Sequence, residues 1–258
     1  MSVDIVVNAL ALPTDSRVDR RVPKTLLLEN GAPTATDKRH IQNGIEEFHW
    51  IAALKPTNIG VQAFRDDVRE YLEIAVLTVT LRPEAKATRL MELIHRAIPY
   101  PAVLITMEGP DLSLSLAHKR WSQGEANKVV IEDVRRCTPF RPAAPTPQES
   151  AFLASIALSG LPAGDLYLLY QGWIDRVAAR EAARITGVYA TPATAPRAAA
   201  LREGLDAHAK LVREIASLRS QAAKEKQLSR RVAINLEVKR LETELASAAQ
   251  NLNPETPA

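Results

Sequence analysis

The chain has 258 residues, 46% of them apolar and 24% charged, with a net charge of +3 and a single cysteine. That is the composition of an ordinary water-soluble protein with enough material for one large domain or two modest ones. Lone Cys137 excludes an internal disulfide and a multi-cysteine zinc site, and it favours a reducing compartment.

The opening MSVDIVVNALALPTD lacks a basic leader, and Pro13 closes its apolar run early, so it predicts a short docked helix rather than a secretion signal. No stretch approaches the ~18 apolar residues of a membrane span, and the expected location is the cytoplasm. VPKTLLLEN, residues 22–30, has an apolar run stopped by Asn30 and Gly31, which predicts a buried strand. TATDKRHIQNGIEEFHWIAAL then pairs a capping Thr34 with Asp37 and sets Ile41, Ile45, Phe48 and Ile51 or Ala52 on one stripe, the pattern of an amphipathic helix.

YLEIAVLTVTL, residues 71–81, is rich in β-branched side chains and predicts a central strand that Pro83 ends. A helix over 84–98 follows from Leu90, Ile94 and Ile98. PAVLITME and DLSLSLAHKR, parted by Gly109 and Pro110, predict a β-hairpin, and KVVIEDV, residues 128–134, a further strand. Residues 138–148, TPFRPAAPTPQ, read as a stiff linker that Phe140 and Arg141 can pin to the surface. Two helices follow, the second ending at Gly187, and VYATPATAP interrupts the chain again. The fold class expected is α+β: a mixed sheet with flanking helices, then an all-helical region with a long coiled-coil-like helix. The expected boundaries are a mixed α/β domain over 1–137, a linker over 138–148, helices over 149–187, a linker over 188–196, a basic helical arm over 197–250 and a disordered tail over 251–258.

No Gly or Pro occurs from Leu205 to Asn253, so the arm can be one rod of about 70 Å or a hairpin of two helices. Leu211, Ile215, Leu218 and Ala222 make one apolar register, and Ile234, Val238, Leu241, Leu245 and Ala248 make a second that is shifted from it. The break marks a stutter, a hinge or a turn. Residues 197–250 hold 11 Lys and Arg against 7 Asp and Glu, of 33 and 30 in the whole chain, so the basic excess belongs here. Arg219, Lys224, Lys226, Arg230 and Arg231 have only Glu225 among them, which makes them candidate contacts to nucleic acid or a partner.

Glycines form neither GxxxxGK[ST] nor GxGxxG, no GxSxG frames a serine, and His40, His49, His95, His118 and His208 lack metal-ligand spacing. Neither a catalytic residue, a metal nor a cofactor is therefore assigned. Glu84 and Lys86 form an E-x-K after the strand that holds Glu73, a pattern of metal-dependent nucleases, yet Glu at a helix start is also favoured by the helix dipole alone. Lys24, Lys55, His95, Lys119 and Arg120 all fall at element ends and are a candidate anion-binding face, with separate solvated ends as the plainer alternative.

Taken in order, VPKTLLLENGAPTATDKRHIQNGIEEFHW, LKPTNIGV, EYLEIAVLTV, ELIHRAIPYPAVLI, SLSLAHKR and KEKQLSRRVAINLEVKRLE span nearly the whole chain. In these stretches the protein resembles the bacterial domain-of-unknown-function family 4391. The resemblance supplies no catalytic residues. It implies a context, as a companion of helicase-type and DNA-methyltransferase genes in restriction-like defence clusters. The expected role is a non-catalytic accessory protein that engages helicase or methyltransferase partners, or DNA or RNA, through its basic arm. A nuclease built on Glu73, Glu84 and Lys86 and a homodimerisation rod are the alternatives.

Overall fold

The computed structural model describes residues 2–124 and 129–253. The elements run α1 (Ser2–Ala9), β1 (Arg17–Arg21), α2 (Lys24–Asn30), α3 (Ala35–Gly44), β2 (Ile45–Leu54), α4 (Pro56–Ile59), β3 (Phe64–Arg65), β4 (Glu70–Tyr71), β5 (Ile74–Leu81), α5 (Ala87–Ala97), β6 (Ala102–Glu108), β7 (Asp111–Trp121), β8 (Val129–Arg136), α6 (Pro147–Ser155), α7 (Leu166–Thr186), α8 (Ala195–Lys224) and α9 (Leu228–Asn251). They form two compact units, Met1–Val177 and Ala178–Ala258.

The first unit holds a six-stranded mixed sheet in the order β1-β2-β5-β6-β7-β8. Its pairs are antiparallel except β5 with β6, which run parallel because α5 carries the chain across between them. Strand β5 is central, as its β-branched sequence predicts, and β6 and β7 form the predicted hairpin, with Gly109 at φ +62° in its turn. Burial runs through nearly every residue of β5 and β7, so both sheet faces are covered.

Helices α2, α3 and α5 build the main core on β2, β5 and β6, through Leu27, Ile41, Leu90, Leu93 and Ile94 against Phe48, Leu77, Val79 and Leu104. The cap predicted at Thr34 forms. Its Oγ1 accepts the Asp37 N–H at 3.1 Å and donates to the Asp37 carboxylate at 2.8 Å. Arg89 of α5 forks onto the same carboxylate at 2.8 and 3.0 Å, which ties the start of α3 to α5 and holds the carboxyl down to about 2.

Residues 22–30 are not the expected strand. Val22 is buried, but Pro23 sits at the N-cap and Lys24–Asn30 turn as α2. Gly31 closes that helix against α5, where a Cβ would lie 2.6 Å from the Leu93 carbonyl oxygen. The long helix expected from Thr34 also stops early. It ends at Gly44, and Ile45–Leu54 become β2, paired with β1 and β5. A Cβ at Gly44 would meet the end of the Leu90 side chain at 2.8 Å, so a larger residue here would oblige Leu90 to shift.

In the 138–148 segment Phe140 is buried and bridges to Leu112, and Arg141 pairs with Asp111 at 2.9 Å. Thr146 and Glu149 then form a capping box that starts α6. Lys128 and residues 254–258, on which parts of the expected last strand and tail fall, lie outside the described residues; Leu252, inside the expected tail, is buried.

The second unit is dominated by a helical hairpin. Thr194 caps α8, the helix ends at Lys224, and α9 begins at Leu228, so the interruption in the apolar register is a turn and the arm is not one rod. The two registers meet each other: Ile215, Val238 and Leu241 are buried, with Leu211, Leu218 and Leu245 packed around them. No helix among the described residues is long and apolar enough to cross a membrane.

Candidate functional site

Lys24, Lys55, His95, Lys119 and Arg120 do not assemble into an anion-binding face. Lys24 Nζ donates to the carbonyls of Gln42 (3.3 Å) and Ile45, at the end of α3, where Arg82 reaches the carbonyl of Asn43 at 3.3 Å. Burial, then the nearby Arg82 and Arg21 charges, lower the Lys24 pKa. Lys55 pairs with Glu73 at 3.1 Å, and Arg120 donates to the Trp121 carbonyl at 3.2 Å.

His95 and Lys119 do come together, but inside the fold. Lys119 is 4% exposed and donates to the carbonyls of His95 (2.6 Å) and Ile98, the last turn of α5. A cation supplies donors to carbonyls that the helix end leaves without partners, and it complements the helix dipole. Burial pushes its pKa down to about 7. His95 is fully buried, its Nε2 lies 2.9 Å from Ser115 Oγ, and burial followed by the Lys119 charge pushes its pKa down to about 3, so the ring is neutral.

Glu73 and Glu84 stand at opposite ends of β5. The eight residues between Ile74 and Leu81 put about 25 Å between those ends. Glu84 occupies a turn at φ +64°, and Lys86 is the N-cap residue of α5. No group of three or more His, Cys, Asp or Glu that could hold a metal ion occurs among the described residues. Cys137 is buried and its Sγ accepts the Leu114 N–H at 3.1 Å, the behaviour of a core residue.

One polar chain escaped the sequence reading. Asp175 Oδ1 accepts from Gln171 Nε2 at 2.8 Å, Gln171 Oε1 lies 2.9 Å from His118 Nε2, and His118 Nδ1 lies 2.5 Å from the Tyr71 hydroxyl. Because a carboxylate only accepts, the Gln171 amide nitrogen must face Asp175 and its oxygen must face His118. His118 therefore carries its proton on Nε2, and Nδ1 accepts from Tyr71. Burial raises the Tyr71 pKa and lowers that of His118, so both stay neutral. With both ring nitrogens engaged, the imidazole has no lone pair to offer a substrate, and the chain fixes α7 to β7 and β4. Tyr71 and His118 are separated by 47 residues, and nothing local in either stretch signals the pair.

The hairpin tip is different in kind. Lys224, Lys226, Arg230 and Arg231 are exposed and form no ion pair among the described residues. Glu225, the one acid among them, turns its carboxylate onto the Gln227 N–H at 2.7 Å and so shapes the turn between the helices. Arg219, expected to belong with these cations, pairs instead with Glu242 across the hairpin at 2.6 Å. The tip thus gathers four cations around a single carboxylate on a solvated bend.

Fold and site together define an α+β protein whose mixed-sheet unit is followed by a cationic helical hairpin. The chain belongs to the family described as "Domain of unknown function (DUF4391)", which matches residues 10–245. No curated protein and no solved structure matches it.

Proposed function

We propose that this protein is a non-catalytic accessory factor of the cytoplasm that holds nucleic acid through the tip of its helical hairpin. The observation that carries this reading is the group Lys224, Lys226, Arg230 and Arg231, exposed around one turn and without ion-pair partners among the described residues. Solvated helix faces ordinarily mix signs, and unopposed cations are what a phosphate backbone selects. The resemblance to a family that accompanies helicase and methyltransferase genes supports DNA as the polyanion and a restriction-like defence system as the setting. The apolar seam of α8 and α9 closes on itself, which removes the feature that suggested a homodimerisation rod. The distance between Glu73 and Glu84 weighs against the nuclease alternative, which relies on both.

Titrating the full chain with labelled duplex DNA at several salt concentrations tests the proposal. Affinity should fall steeply with salt, by about 0.9 units of log–log slope for each phosphate neutralised. Changing Lys224, Lys226, Arg230 and Arg231 to Gln should lower that slope by about one unit for each cation that had faced a phosphate, while preserving the helix, since Gln has similar helix propensity. No Mg²⁺-dependent cutting of the probe is expected. An unchanged slope in the quadruple variant would refute the reading.

A further inference from the structure

The side of α9 that faces away from α8 holds large apolar side chains in water. Leu228 is 65% exposed, Val232 49% and Leu236 65%. They recur every four residues, so each step advances about 40° around the helix, and the three share one sector about 12 Å long. Val238 and Leu241, which close the hairpin, lie on the other side of the helix. Single exposed leucines need no account, but an aligned stripe does.

The charges bordering the stripe are also unmatched. By the same geometry Arg231 lies beside it and Lys239 stands at its far end, and both are exposed without an ion pair among the described residues. Elsewhere on the hairpin Arg219 pairs with Glu242, and Arg240 with Glu237 at 2.6 Å and with Glu244, whereas Lys210 and Arg213 of α8 form no ion pair among the described residues. What sets Arg231 and Lys239 apart is their place: they border an exposed apolar stripe.

We propose that this outer face of α9 docks an acidic amphipathic helix of a partner protein. A row of side chains spaced four apart is the ridge that packs into the groove of a second helix, and carboxylates flanking the incoming apolar face would meet Arg231 and Lys239. A second copy of this chain fits badly, because it would bring Arg231, Lys239 and the tip cations against their own kind. Nucleic acid fits the tip but not the stripe, where leucine and valine would face phosphates. This inference shares Arg231 with the nucleic-acid contact but rests on the apolar stripe of Leu228, Val232 and Leu236, which takes no part in that contact, and it stands if that contact fails.

The probe is a synthetic helix of about three heptads with Leu at a and d and Glu at e and g, titrated against the full chain. It should bind, and Leu228→Gln with Leu236→Gln should weaken it by about tenfold per leucine, with circular dichroism unchanged. The same peptide with Lys in place of Glu should not bind, and the leucine variant should keep the parent's affinity for duplex DNA. Equal binding of the acidic peptide by parent and variant would overturn the proposal. So would a dimer in sedimentation that the variant loses, or a loss of DNA affinity in step with the loss of peptide affinity.

Discussion

Lys119 and Lys226 belong to the same residue type in two regions of one chain, and their surroundings are opposite. Lys119 is buried and donates to the carbonyls that end α5, while Lys226 stands in solvent at the bend between α8 and α9. Lys24 behaves as Lys119 does, closing the end of α3. The last carbonyls of α5 lie where water cannot reach them, so a side chain must supply the donors. A helix that ends in an open turn has no such need, and α8 leaves its last cation free. Lys119 and Lys24 therefore hold the fold, and the cations at the hairpin tip are available to something else.

The comparison breaks if the two lysines prove equivalent. Lys119→Ala should destabilise the protein by about 2–4 kcal/mol, from the cavity and from carbonyls left without donors. Lys226→Ala should stay within about 0.5 kcal/mol, the range of a surface change. Urea denaturation of the full chain, followed by circular dichroism, measures both. Similar losses for the two would show that the tip lysine has a structural role.

Why part of this was legible and part was not follows from the residues. Strand β5, the β6–β7 hairpin, α5 and the Thr34 cap all carry a local period or a local cap, and the sequence anticipates them. Strand β2 misleads because it is irregular: register shifts between Ile45 and Glu47 and between Trp50 and Ala52 break its alternation. Its buried residues Ile45, Phe48 and Ala52 consequently fall three and four apart and mimic a helical stripe. The Leu26–Leu28 run in α2 has no period of either kind, and β1, Arg-Val-Asp-Arg-Arg, is a charged edge strand without apolar alternation. At the sites, the tip cations were legible because they adjoin in sequence. The Lys119–His95 and Tyr71–His118 pairs were not, because only the packing of separate elements brings them together.

A pH series sharpens the comparison with a smaller effect. Lys119 has a folded pKa of about 7 against 10.5 in the unfolded chain, so between those values the unfolded state binds more protons and stability rises with pH. His95, at about 3 against 6.5, adds a second window in which stability falls as pH drops from 6.5 toward 3. Lys119→Met keeps most of the volume and removes the titrating group, so its stability curve should lose the parent's rise between about pH 7 and 10. The acid window should narrow too, because the Lys119 charge helps to hold His95 low. Parallel curves for parent and variant would mean that the Lys119 ammonium keeps its water on folding. Neutralising Lys226 should leave both windows in place.

The smallest expected effect decides where the functional charge of the hairpin begins. Arg219 and Glu242 are 64% and 42% exposed and lie 2.6 Å apart, so their pair should contribute about 0.2–1 kcal/mol in a double-mutant cycle of Arg219→Gln and Glu242→Gln. Its consequence for binding is more informative. A guanidinium already neutralised by Glu242 releases few counterions on meeting DNA, so Arg219→Gln should reduce the salt slope by less than Arg231→Gln does. Glu242→Gln should do the reverse: by freeing Arg219 it should strengthen DNA binding and steepen its salt dependence. If Arg219→Gln instead lowers the slope as much as Arg231→Gln, the cross-hairpin pair opens on binding. The cationic surface then extends from the tip down the side of α8.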